Sequence, residues 1–289
     1  MNPLYLAKLK LYAQLVRLDR PIGIYLLLWP TLWALAIAGE GGPDGWVLFV
    51  FVSGVVLMRS AGCAINDYAD RHIDLHVART RERPLTSGRI SSKEALIVFG
   101  ILSYTAFLLV LTLNAYTIYL SFVGVILAAS YPFMKRFHYL PQVHLGAAFG
   151  WSVPMAFAAQ TGSVTRIAWL LYIATLVWTV AYDTMYAMVD REDDLRIGTK
   201  STAILFGDAD RLIIGILQLL FILTLCLVGL ELRFSWIYFA GLFIASLLLA
   251  YEQALILYRL PEYCFQAFLH NHWVGAVIFG GIMGHYYRS

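Results

Sequence analysis

Seven of the eleven aspartates in this sequence stand in two short stretches. The first reads Asn66-Asp67-x-x-Asp70-x-x-x-Asp74, and the second reads Asp183-x-x-Tyr186-Ala187-x-x-Asp190-x-x-Asp193-Asp194. One constant shift lays Asn66 on Tyr186, Asp70 on Asp190 and Asp74 on Asp194, a weak internal repeat that predicts two similar helical halves. Residues four apart share a helix face. Asn66, Asp70 and Asp74 are therefore expected to form one ladder with Asp67 beside it, and Asp183, Asp190 and Asp194 a second. Like charges stacked on one face repel unless a cation joins them. Mg²⁺ suits the role, because it is a hard ion held by one or two carboxylates together with substrate phosphates. Each acidic stretch is followed by a basic one, and Arg79, Arg83, Lys135, Arg136 and Lys200 supply the charge that a phosphate needs. Acid ladders with a basic rim point to Mg²⁺-diphosphate rather than a free ion. Merely solvated loop acids would not require four-residue spacing twice.

The elements that must position these groups follow from the apolar runs. Of 289 residues, 60% are hydrophobic and 13% charged, with a mean hydropathy of +0.70. A soluble domain of that length hides less apolar surface, so a soluble enzyme, a disordered chain and a nucleic-acid module are poor readings. A span needs about 20 apolar residues. The runs predict nine: Ile22–Ala38, Trp46–Ile65, Ala95–Leu113, Ala115–Phe133, Val143–Gln160, Ile167–Val189, Leu212–Leu230, Phe234–Tyr258 and Phe268–Tyr287. The joint at Asn114 is the narrowest, one polar residue between two spans. A transmembrane barrel would alternate polar and apolar residues, and Leu242–Ala250 does not. The expectation is an all-α polytopic membrane protein, nine helices in two pseudo-repeated halves around a central cavity, one domain over residues 1–289. A dry bundle of this kind takes a long lipid tail beneath the diphosphate.

Charge sets the orientation. Seventeen Lys and Arg lie on the side of the N-terminus and the even-numbered loops, three lie on the other side, and Arg59 is inside a span. Positive charge stays inside, so the N-terminus is expected in the cytoplasm and the C-terminus outside, with an uncleaved first span. Cys63, Cys226 and Cys264 are odd in number and lack CxxC spacing, against a disulfide framework or a zinc site. No GxxxxGK[ST] nucleotide loop occurs. His270 and His272 point to different helix faces, and Gly275, Gly280, Gly281 and Gly284 suggest close helix packing.

The sequence resembles the UbiA-type intramembrane prenyltransferases. The matching stretches are Arg17-Leu18-Asp19-Arg20-Pro21-Ile22-Gly23, Leu28-Trp29-Pro30-Thr31-Leu32-Trp33-Ala34 and Arg59 through Asp70. They continue with Arg83-Pro84-Leu85, Ser87-Gly88, Tyr131 through Arg136, Asp183 through Asp190, and Lys200-Ser201-Thr202. The Leu-Trp-Pro-Thr-Leu-Trp stretch and Gly150–Pro154 favour the branch whose acceptor is 4-hydroxybenzoate, in ubiquinone biosynthesis at the bacterial inner membrane. The resemblance implies that Asn66, Asp67, Asp70, Asp74, Asp190 and Asp194 hold Mg²⁺ and a polyprenyl diphosphate. Asp193 beside Asp194 leaves some freedom in which oxygen binds. Asp183 supports them or takes part directly. The diphosphate bond ionises, and the ring attacks the allylic cation ortho to its hydroxyl. Tyr68, Tyr182 and Tyr186 offer electron-rich faces to that cation or belong to an interfacial belt. Arg59, two turns below Asn66, must face a partner or cavity. The acceptor's carboxylate, a protein acid and the diphosphate all qualify. Glu252, deep in the eighth run, has no assigned role. Two alternatives stand beside this reading: another acceptor (dihydroxynaphthoate, homogentisate or a porphyrin), and a cation-coupled transporter, which would place acids and broken helices at mid-bilayer.

Overall fold

A computed structural model describes residues 3–77 and 79–288. Every regular element among them is helical. Helix α1 (Pro3–Leu15) precedes α2 (Ile22–Ala38), α3 (Gly45–Asp70), α4 (Ser92–Val110) and α5 (Ala115–Met134). Then come α6 (Pro141–Gly150), α7 (Ser152–Thr161), α8 (Arg166–Val189) and the short α9 (Arg191–Ile197) and α10 (Thr202–Phe206). The chain closes with α11 (Asp210–Glu231), α12 (Trp236–Leu255) and α13 (Pro261–Arg288).

Six of these helical segments are long and apolar enough to cross a membrane, and α2 is apolar but shorter. Helix α13 is not among the six. Its middle carries His270, Asn271 and His272, and it begins seven residues before the apolar run that predicts it. The predicted span Val143–Gln160 is not one helix. It breaks at Trp151 into α6 and α7, because Pro154 has no N–H for the Gly150 carbonyl and its ring crowds that carbonyl. The narrow joint holds: Asn114 caps α5 by accepting from Thr117 N at 2.9 Å and donates to Ala158 O at 2.8 Å.

Buried aromatic rings stack where α2, α8 and α11 meet. Trp33 and Trp178 are fully buried with centroids 5.4 Å apart, and Trp178 stacks on Phe221 at 5.4 Å and 6°. Gly275 lets α13 approach α2, since a Cβ there would lie 2.4 Å from Trp29 Cδ1. Gly281 and Gly284 likewise pack on Gly241 and Ile237, whereas Gly280 faces open space, against the packing reading for that residue. Helices α4 and α5 bury few side chains and form an outer wall. Ile101, Tyr119, Ile126, Leu212, Leu230 and Phe243 are exposed on the outside, a surface suited to lipid as solvent. The chain is a multi-pass membrane protein.

Candidate active site

Helix α3 has 26 residues and is about 39 Å long, more than the ~30 Å hydrocarbon core of a bilayer. Its last turns, carrying Asn66, Asp67 and Asp70, therefore reach one end of the bundle. Below them a cavity of about 1310 Å³ runs between the helices. Its mouth is charged, with Asn66, Asp67, Asp70, Asp74, Asp183, Asp190 and Asp194 on its wall together with Arg79, Arg83, Lys135 and Lys200. Its depth is apolar, lined by Phe51, Val55, Phe107, Val110, Phe149 and Met155 among others.

The two predicted ladders meet at this mouth, but neither is one continuous helix. Helix α3 ends at Asp70, and Asp74 sits in a single 3₁₀ turn, Asp74–His76, that returns its buried carboxylate to the cavity. On the other side α8 ends at Val189. Asp190 adopts φ −100° and ψ 7°, and α9 starts afresh with Glu192, Asp193 and Asp194 in its first turn. Acids at a helix N-terminus lie favourably in the helix dipole. Gly198, at φ +78°, closes α9 in a left-handed turn that a β-carbon would strain.

Each acid that has a partner is held by a cation. Lys135 Nζ donates to Asp70 at 2.5 Å, Arg83 to Asp74 at 2.8 Å and to Asp67 at 3.1 Å, and Arg79 to Asp190 at 2.5 and 3.1 Å. Arg17, to which the sequence reading gives no role, grips both oxygens of Asp67 at 2.7 and 3.0 Å. Asp70 Oδ1 is buried and without a partner. Burial, and then the charge of Asp190, push the Asp194 carboxyl up to about 7.

Arg136 is not part of the mouth. Its guanidinium donates to Ala69 O at the end of α3, the use expected of a cation beside a helix C-terminus. Lys200 reaches the rim while donating to Phe137 O at 3.0 Å. Tyr68 packs beside Arg71 rather than on the cavity, whereas Tyr182 and Tyr186 line it. The Tyr186 ring lies 4.7 Å from the Arg79 guanidinium and 4.6 Å from the Phe268 ring. Tyr131 is a further aromatic on the wall that the sequence reading gives no separate role. Arg59 lies deeper in α3 and lines the cavity. Its Nη1 donates to Cys63 Sγ at 2.7 Å, its Nε is buried without a partner, and Phe149 covers it at 5.8 Å. Gly23 makes the room, since a Cβ there would stand 2.2 Å from Arg59 Nε.

Among the described residues no three of His, Cys, Asp and Glu already converge at metal-ligand spacing. The donor chemistry nevertheless fits a hard cation with an anionic ligand. The wall presents carboxylate oxygens, one of them fully buried without a partner, and the cations now paired with the acids are the groups that an entering diphosphate would draw.

A charged mouth over a deep apolar cavity, in a helical membrane bundle, suits an amphiphile with a polyanionic head. The chain belongs to the UbiA prenyltransferase family, whose pattern matches residues 27–275. That membership leaves the carrier alternative without support. The 4-hydroxybenzoate octaprenyltransferase of Ectopseudomonas mendocina is 61% identical over 272 residues, 94% of this chain and 92% of that one. Among solved structures, a UbiA homolog from Aeropyrum pernix K1 has a TM-score of 0.80 at 25% identity, over 90% of this chain and 97% of that one. A UbiA homolog from Archaeoglobus fulgidus bound to GPP and Mg²⁺ shares the fold, with a TM-score of 0.68 at 16% identity over 94% and 99%.

Proposed function

We propose that this protein transfers a polyprenyl group from polyprenyl diphosphate to 4-hydroxybenzoate, ortho to the hydroxyl, giving 3-polyprenyl-4-hydroxybenzoate for ubiquinone synthesis. The observation that carries the proposal is the junction of an ionic mouth with an apolar cavity of about 1310 Å³. The name of the Ectopseudomonas relative, at 61% identity, supports the acceptor.

In this reading Asn66, Asp70, Asp74, Asp190 and Asp194 would hold Mg²⁺, which when bound supplies positive charge to the leaving diphosphate. Asp67 stays with Arg17, which reaches both its oxygens. Arg79, Arg83, Lys135 and Lys200 turn to the diphosphate oxygens and stabilise the charge that develops there as the C–O bond breaks. The ion pairs seen at the mouth thus keep the acids and bases neutralised until an anion and a cation arrive together. The apolar wall keeps water from the allylic cation. Tyr186 and Tyr182 present ring faces to it, worth about 0.5–2 kcal/mol for a ring. Arg59, with an unpartnered buried Nε, grips the acceptor's carboxylate and so aims the ring. Asp183, about two turns before Asp190 on α8, supports the metal-holding acids or takes part directly.

The topology accompanying this function is nine crossings in one domain over residues 1–289: α2, α3, α4, α5, α6 with α7, α8, α11, α12 and α13. Seventeen basic residues against three support a bacterial inner-membrane location with the N-terminus cytoplasmic and the C-terminus periplasmic. The A. fulgidus homolog of the same fold was solved with GPP and Mg²⁺. The deciding experiment incubates purified protein with a polyprenyl diphosphate, 4-hydroxybenzoate and Mg²⁺, and reads product mass. Dihydroxynaphthoate and homogentisate run in parallel. Prenylated 4-hydroxybenzoate that disappears with EDTA is the expected product, and preferential prenylation of another acceptor overturns the assignment.

A further inference from the structure

Two buried aspartates are each gripped by two arginines, one within the first acidic motif and one behind the second. Asp67 takes both oxygens' worth of Arg17 and a third bond from Arg83. Asp210, at the start of α11 and fully buried, binds Arg191 and accepts from Arg259 Nε at 3.0 Å and Nη2 at 2.9 Å. The outer arginine has a positive φ in both: Arg17, between α1 and α2, has φ +59°, and Arg259, between α12 and α13, has φ +55°. A residue with a β-carbon is locally strained in that left-handed region, where Glu40 and Arg233 also lie, and surrounding contacts must offset the strain. In both turns the arginine side chain returns to a buried carboxylate, Arg17 through one nitrogen to both oxygens and Arg259 through Nε and Nη2.

We propose that Asp210 and Arg259 are positioning residues for the second acidic motif, as Asp67 and Arg17 are for the first. The reason lies in α9. That helix carries Asp194 and buries none of its own residues, so apolar packing does not seat it. Its first residue, Arg191, follows Asp190 directly and reaches down to Asp210 on α11. Helix α11 packs along α8, the helix that delivers Asp183 and Asp190 to the mouth. Arg259 neutralises the second negative lobe of Asp210 and also donates to Asp208 O at 2.8 Å, fixing the turn before α11. The seat of α9, and with it the position of Asp194 at the mouth, is thus held from behind, through a charge buried in the bundle.

The consequence for catalysis rests on the prenyl-transfer reading, whereas the seating of α9 does not. The test uses the full-length protein in detergent with Arg259→Ala, Arg259→Lys, Asp210→Asn and Arg17→Ala. Arg259 is one-third exposed, at 33%, so Arg259→Ala decides the matter if Asp210→Asn does not fold. Two quantities are read: amide hydrogen exchange over residues 190–199 and 66–74, and the Mg²⁺ concentration giving half-maximal transfer. For Arg259→Ala we expect faster exchange at 190–199 only, and a Mg²⁺ requirement raised about 10- to 100-fold, as for lost outer-shell support of a metal site. Turnover at saturating Mg²⁺ should change much less. Arg259→Lys keeps the charge without the fork and should recover part of the effect. Arg17→Ala should move exchange at 66–74 instead. Unchanged exchange at 190–199 in Arg259→Ala, or faster exchange with the Mg²⁺ requirement unmoved, overturns the proposal. If the wild-type protein shows no Mg²⁺-dependent transfer, the functional reading fails, and exchange at 190–199 still decides whether the latch seats α9.

Discussion

Two of the charged regions inside this bundle, the cavity mouth and the surroundings of Glu252, are built to opposite ends. At the cavity mouth, acids and bases are paired but incompletely satisfied: Asp70 Oδ1 and Arg59 Nε are buried with no partner, and both residues border open volume. Between α12 and α13, Glu252 is fully buried and both its oxygens have partners. It hydrogen-bonds His270 Nδ1 at 3.1 Å, Asn271 Nδ2 at 3.1 Å and Gln218 Nε2 at 3.4 Å, while Asn271 in turn accepts from Trp178 Nε1 at 2.7 Å. Glu252 borders no part of the mouth cavity. An ionisable residue within a membrane span is thus a poor guide to function on its own. Unfilled hydrogen-bonding capacity next to a cavity separates a site from a brace. Glu252 ties α11, α12 and α13 together, and through Asn271 it reaches α8.

Substitutions can break or sharpen that contrast. Asp70→Ala or Asp190→Ala should abolish Mg²⁺-dependent transfer, a loss of at least about a thousandfold or roughly 4 kcal/mol of barrier, with circular dichroism and elution profile unchanged. Normal turnover in either variant would remove the assigned roles. Arg59→Gln should raise KM for 4-hydroxybenzoate about a hundredfold, the loss of one buried charge-assisted pair, with KM for the prenyl diphosphate little altered. Equal rises in both constants would move Arg59 from the acceptor to general packing.

A smaller effect concerns pH. Burial and the charge of Asp190 push the Asp194 carboxyl up to about 7 from an ordinary 3.8. The folded state therefore holds a proton that the unfolded chain has lost between those values, and metal-free stability falls as pH rises through that window. Mg²⁺ must displace the same proton, so its affinity should climb by up to about tenfold per unit as pH rises toward 7 and then level off. Asp194→Asn should flatten the profile, which titrating Mg²⁺ from pH 6 to 8 will show. Smallest for catalysis and large for folding is Glu252→Ala. Leaving its donors unpaired should cost about 3–5 kcal/mol of stability, seen as a lower unfolding temperature, while kcat/KM per folded molecule stays within about threefold. A catalytic loss as deep as that of Asp70→Ala would erase the distinction between site and brace.

The amino-acid sequence by itself determined the solvent, the element type and the chemistry. A chain with 60% hydrophobic residues in long runs has no folded state in water that hides them, and in lipid its backbone must be satisfied within helices. Aspartates at four-residue spacing, each set followed by basic residues, carry their affinity for a hard cation and a polyanion in their functional groups alone. Tertiary structure decided which charges meet. Arg136 and Lys135 are neighbours in sequence, yet one satisfies the Ala69 carbonyl and the other reaches Asp70. A side chain's direction depends on where its helix ends, and periodicity does not encode that. Asp74 and Asp194 reach the mouth from a 3₁₀ turn and a restarted helix, breaks invisible to a reading that extends each helix through its apolar pattern. Arg17, Arg259 and Asp210 were hidden for a deeper reason. Their contacts bridge 50 and 49 residues, and an ion pair at that separation exists only once the bundle has closed around it.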